Sequence, residues 1–106
     1  MKIAVPSMGD SAKSEVSDKL GRCRYIIIYD TESKKYSAAP NPGSHLPDGS
    51  GPKAAEVVIN SGADTLLSME VGVKAYSVLA KERINIQLLK SKSTVKAVVE
   101  KFIKNN

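Results

Sequence analysis

PKAAEVVINSGADTLLSMEVGVKAYSVLAKERINIQLL, residues 52–89, decides the fold, because two periodicities alternate within it. Pro52 suits the first turn of a helix, and Pro52–Gly62 reads as that helix, closed by Gly62 as a C-terminal cap. Asp64–Met69 is a short apolar run of strand length. From Val73 to Arg83 the helical spacing returns, with Ala75, Val78 and Leu79 on one face and Tyr76 beside it. Ile84–Leu89 is strand-like again. Strands that alternate with helices call for parallel pairing through right-handed crossovers.

Toward the C-terminus, Ser93–Asn105 reads as a last helix, with Ser93 or Thr94 as its cap. Val95, Val98, Val99, Phe102 and Ile103 form an apolar stripe at i, i+3, i+4, i+7 and i+8. Toward the N-terminus the pattern differs. Lys2–Pro6 and Tyr25–Asp30 read as strands, and YIIIYD is apolar on both faces, as a strand inside a sheet must be. Thr31–Lys34 is a hairpin turn leading to a partner strand at Lys35–Ala39, where Pro40 and Pro42 mark an edge. Ser7–Asp18 and Pro40–Ser50 read as polar loops, expected to be the least ordered segments.

The element order is therefore βββαβαβα: a mixed five-stranded sheet with helices on both faces, in three α/β/α layers. Lys2–Pro6 should lie between Tyr25–Asp30 and Asp64–Met69, with Lys35–Ala39 and Ile84–Leu88 at the edges. Ligands of such sheets bind beyond the C-terminal ends of the parallel strands, here the loop Ser7–Asp10 and the loop after Met69.

Composition sets the outer bounds. The 106 residues are 42% hydrophobic and 25% charged, ordinary for one globular domain. The apolar run after Lys2 is too short for a signal or a span, so a cytoplasmic address without membrane contact is expected. The net charge of +5 favours an anionic partner, and five lysines against only Glu100 lie between Lys90 and Asn106. No stretch interleaves aromatic with basic residues, which argues against nucleic acid. One cysteine excludes an internal disulfide and a CxxC metal site. KIAVP holds no acid, and Asp64 and Glu70 only bracket DTLLSM, which argues against two-metal nuclease chemistry.

That cysteine, Cys23, stands between Arg22 and Arg24 at the mouth of the YIIIYD strand. Flanking cations would favour the thiolate and hence a soft metal. The competing reading is a small buried hydrophobe whose neighbours point to the opposite face. His45, in the Pro/Gly-rich loop, offers a borderline ligand or is simply exposed. Met8 and Met69 are weaker soft donors. GSGPKA, residues 49–54, fits G-x-G-x-x-A with Glu70 further on, but it follows a long loop and contains Pro52. The simpler reading is a helix N-terminus whose amides suit an anion. Three classes stay open: a cofactor carrier, an anion or nucleotide sensor, and an interaction module whose basic last helix docks an acidic partner.

In combination, KIAVPS, EVSDKLGRCRYIIIYD, the NP loop with GSGPKAAE, VGVKAY and STVKAVVEKF resemble the dinitrogenase iron–molybdenum cofactor biosynthesis family over essentially the whole chain. The resemblance implies a ribonuclease-H-like fold in a single domain over residues 1–106. It implies a non-enzymatic carrier that transiently binds an iron–molybdenum or other metal–sulfur cluster. The implied partners are cluster donor and acceptor proteins, and the implied state is a monomer or weak homodimer. Gly21, Arg22, Gly51 and Pro52 match the family. Lys19 stands where the family has histidine, Cys23-Arg24 where it has Ala-Pro, and Met69-Glu70 where it has Gly-Gly. The expected cofactor-binding residues are Ser7, Lys19, Gly21, Arg22, Arg24, Gly49, Gly51 and Lys53, with Cys23 and His45 as metal ligands. On that reading, replacing Cys23 costs the most metal and replacing Lys92 the least.

Overall fold

A computed structural model describes residues 1–105. Five strands form one sheet: β1 (Lys2–Ser7), β2 (Tyr25–Asp30), β3 (Lys35–Pro40), β4 (Thr65–Ser68) and β5 (Asn85–Leu88), in the order β3-β2-β1-β4-β5. β2 pairs antiparallel with β1 and β3, whereas β1–β4 and β4–β5 are parallel. Three helices complete the chain: α1 (Ser50–Asn60), α2 (Val73–Lys81) and α3 (Val95–Lys104). The expected mixed sheet, its central first strand and its two edge strands are all present.

The period of two along the inner strands sorts the core into two layers. On one face Ala4, Ile26, Ile28 and Leu66 pack with Ala54, Ala55 and Val58 of α1 and Ala75 and Leu79 of α2. On the other, Ile3, Val5, Ile27 and Leu67 pack with Val95, Val98 and Val99 of α3. The three consecutive isoleucines of β2 thus serve both layers, which is why YIIIYD is apolar throughout.

The helix ends follow local chemistry with one shift. Gly62, at φ 80°, follows the last turn of α1 in the left-handed conformation that glycine tolerates best. Thr94 caps α3, its side chain accepting from the Ala97 amide at 3.2 Å. α1 begins at Ser50, two residues before Pro52, because Gly49 at φ 78° turns the chain into it.

Residues 8–17 are held more firmly than their polar composition implies. Met8 N–H donates to Glu15 O, Ser17 N–H to Pro6 O and Val16 N–H to Ser93 O, each at 2.9 Å. In return Val95 N–H and Lys96 N–H donate to Ser14 O and Ala12 O. Val16 is fully buried against the α3 layer. The expectation of a loosely anchored loop is therefore corrected: backbone bonds and one apolar anchor tie it to β1 and to the start of α3.

Candidate functional site

The C-terminal ends of β1 and β4 and the start of β2 lie at one end of the sheet. Ser7 of β1 is paired with Tyr25 of β2, and Tyr25 with Pro40 of β3. A 3-10 turn, Leu20–Arg22, crosses this end. It is fixed to the loop after β4 by Leu20 N–H donating to Glu70 O at 3.1 Å and by the parallel bridge Lys19↔Glu70. The two loops expected to frame a site do sit together, with the Lys19–Arg24 segment threaded beside them.

Asn41 organises this end. It is 4% exposed. Its side-chain amide donates to Cys23 O at 2.9 Å and Gly21 O at 3.3 Å, and approaches Cys23 Sγ at 3.6 Å. Its Oδ1 accepts from Gly43 N–H at 3.2 Å, an Asx-type turn. One buried amide thus joins the 3-10 turn to the loop after β3. The sequence reading passed over this residue. The available signal was the Pro40-Asn41-Pro42-Gly43 run, since asparagine among prolines and glycine is turn chemistry.

Arg22 completes the clamp from outside. Its Nη1 donates to Ser44 O at 3.2 Å and Leu46 O at 2.6 Å, the carbonyls on either side of His45. The guanidinium holds the loop by its backbone, and His45 between those two carbonyls is exposed. Lys19 and Arg24 are exposed, and neither forms an ion pair among the described residues. Met8 is 53% exposed at the same end, whereas Met69 packs against the α3 layer.

The expectation that Arg22 and Arg24 activate Cys23 is corrected. The Cys23 side chain lies in the α1/α2 core layer with no exposed surface, while Arg24 is exposed and the Arg22 guanidinium is engaged by the Ser44 and Leu46 carbonyls. Burial pushes its pKa from 9.0 up to about 11, against the weaker opposing influence of hydrogen bonds from Asn41 and from the Ser7 backbone. In this conformation it is a buried, protonated thiol with the Asn41 amide against it.

Alkylation at pH 8 should therefore be at least about 100-fold slower in the folded chain than in urea, from the thiolate fraction alone. The folded chain also holds this proton more tightly than the unfolded chain does. The stability it confers is present below pH 9 and falls as the pH rises through 9 toward about 11. Cys23→Ala should flatten that decline. Rapid labelling of the native protein would show that the thiol is accessible.

The remaining candidates divide by geometry. The hydroxyl of Ser7 is buried and engaged with Gly9, donating to its carbonyl at 2.7 Å and accepting from its amide at 3.3 Å. Gly21 and Gly51 touch each other: a Cβ on Gly21 would lie 2.9 Å from Gly51 N and 2.7 Å from Ser50 Oγ. Both are close-packing positions. This contact also covers the start of α1, where Pro52 has no N–H and Lys53 N–H is satisfied by Gly49 O at 3.1 Å. The expected anion cradle at Gly49–Lys53 is therefore reduced to the amides that precede Pro52. Lys53 itself is paired with Glu56 at 3.5 Å. Among the described residues no three His, Cys, Asp or Glu side chains converge on a point that could hold a metal ion.

Comparison with known proteins agrees with this architecture. The sequence model of the family described as dinitrogenase iron-molybdenum cofactor matches residues 1–105. The apo form of the orange protein from Desulfovibrio gigas superposes with a TM-score of 0.91 at 29% identity, covering 98% of this chain and 88% of that one. A Thermotoga protein described as NifB superposes with a TM-score of 0.84 at 30% identity, covering 97% and 87%. A Methanocaldococcus jannaschii protein described as a dinitrogenase, at 17% identity and a TM-score of 0.69 over 99% and 89%, shares the fold. No curated protein gives a significant match.

Proposed function

Because the chain belongs to the dinitrogenase iron-molybdenum cofactor family, we propose that it is a small non-enzymatic carrier of an anionic metal–sulfur cluster or its precursor. The cargo docks at the sheet end bounded by Lys19, Arg22, Arg24 and His45, and passes between donor and acceptor proteins. The observation that carries this reading is the Arg22 clamp, which holds the His45 loop to the 3-10 turn, next to Lys19 and Arg24, which have no acidic partner among the described residues. An anionic cargo is attracted by that field and meets one borderline donor in His45, with exposed Met8 as a soft neighbour. Cys23 lies beneath as packing. Few donors and an open rim suit a load that must be released.

The test is anaerobic reconstitution with iron, molybdate and sulfide, followed by desalting and metal analysis. Wild type should retain metal and lose most of it in 1 M salt, where exposed charges are screened within about 3 Å. His45→Ala should retain several-fold less. A wild-type chain that binds no metal under any of these conditions would overturn the carrier reading.

A further inference from the structure

A groove of about 530 Å³ lies between β5 and α3. Leu67, Leu89, Val98 and Phe102 contribute its apolar lining. Lys90, Lys92 and Lys101 stand around it, and among the described residues no acid, histidine, cysteine or methionine lines it. Lys92 is tied to Asp18 at 3.0 Å, which leaves Lys90 and Lys101 without an ion pair among the described residues.

The groove runs beside an open sheet edge. β5 is the last strand in the order. Asn85 N–H donates to Asp64 O at 2.9 Å and Leu89 N–H to Ser68 O at 2.8 Å, so the odd-numbered residues face β4. In a parallel ladder the alternate residues then aim their N–H and C=O outward, here Ile86 and Leu88. The Leu88 side chain is 62% exposed at that edge. The opposite edge strand, β3, opens on Lys35 and closes on Pro40, both deterrents to pairing. β5 contains neither proline nor charge.

We propose that this edge and groove dock an extended acidic segment of a partner protein, added alongside β5 as a sixth strand. Ile86 and Leu88 supply backbone hydrogen bonds, the lining takes the segment's apolar side chains, and Lys90 and Lys101 meet its carboxylates. A second copy of this chain is the poorer occupant: apposing two β5 edges would bring both lysine sets together on chains of net charge +5. The inference rests on the groove and its edge and is independent of the cargo reading.

The probe is the capped heptapeptide Glu-Glu-Val-Thr-Val-Glu-Glu, titrated into 15N-labelled protein alongside its counterpart with lysine for glutamate. Amide shifts should concentrate at Ile86, Leu88 and the adjoining Lys90 and Ser91. Affinity should fall at least tenfold for the lysine peptide and for Lys90→Glu/Lys101→Glu, whose sites are exposed and outside the core. No binding at millimolar peptide, equal binding of both peptides, or shifts confined to the Lys19–Arg24 end would overturn the proposal. So would edge shifts that track protein concentration without peptide, which would assign the edge to self-association.

Discussion

Gly21→Ala is expected to destabilise the folded chain by roughly 2–3 kcal/mol in urea unfolding, although alanine adds a single methyl group. That methyl would lie 2.7 Å from Ser50 Oγ, 2.9 Å from Gly51 N and 3.1 Å from Gly51 Cα. The serine hydroxyl can swing aside. The backbone of α1 cannot, because the helix is itself seated on α2, with the Cβ position of Gly51 3.3 Å from Ala75 Cβ. Relief requires the 3-10 turn to lift away from α1, and lifting it strains the Asn41 bonds to Gly21 O and Cys23 O. A buried carbonyl that loses its partner has a cost of its own. Gly72→Ala is the control: nothing lies within 4 Å of its Cβ position and its φ is −63°. It should change stability by no more than about 0.5 kcal/mol. Equal stabilities for the two variants would mean that the turn does not rest on α1.

The fold was legible because its decisive signals are local and repeated. YIIIYD carries its two-sided burial in its own composition, and the alternation after residue 50 forces parallel pairing. Gly62 and Thr94 announce helix ends through chemistry that acts within a few residues. The site was legible only as a region. That Lys19, Arg22, Arg24 and His45 are neighbours of a strand mouth follows from element order. That Arg22 grips the carbonyls flanking His45 does not, since nothing local to Arg22 names an acceptor more than twenty positions away. Cys23 carries two readings in the sequence because its neighbours along the chain are cations, while in space it belongs to the α1/α2 core layer and meets Asn41. Cys23 stands between the 3-10 turn and β2 and turns into the core, while Arg22 grips loop carbonyls and Arg24 is exposed, so the thiol is left desolvated.

Charge reversal at the strand mouth should have the largest effect on cargo. Lys19 and Arg24 are exposed and free of ion pairs among the described residues, so Lys19→Glu/Arg24→Glu removes no contact of the folded core. It does change the local charge by four units where the cargo is proposed to sit. Attraction by two cations becomes repulsion by two anions, and for a multiply charged cluster each unit acts on every charge of the load. Metal retained after desalting should fall at least tenfold, with the unfolding midpoint nearly unchanged. Cys23→Ala removes one buried sulfur from the core and leaves the exposed charges as they were, so its retention should match wild type.

Metal per chain after anaerobic reconstitution, measured on Cys23→Ala beside Lys19→Glu/Arg24→Glu, therefore separates a cargo held by exposed cations and His45 from one bound through the thiol. The account predicts wild-type metal in Cys23→Ala and at least a tenfold loss in the charge-reversed chain. Loss of metal in Cys23→Ala with full retention in the charge-reversed chain would contradict it.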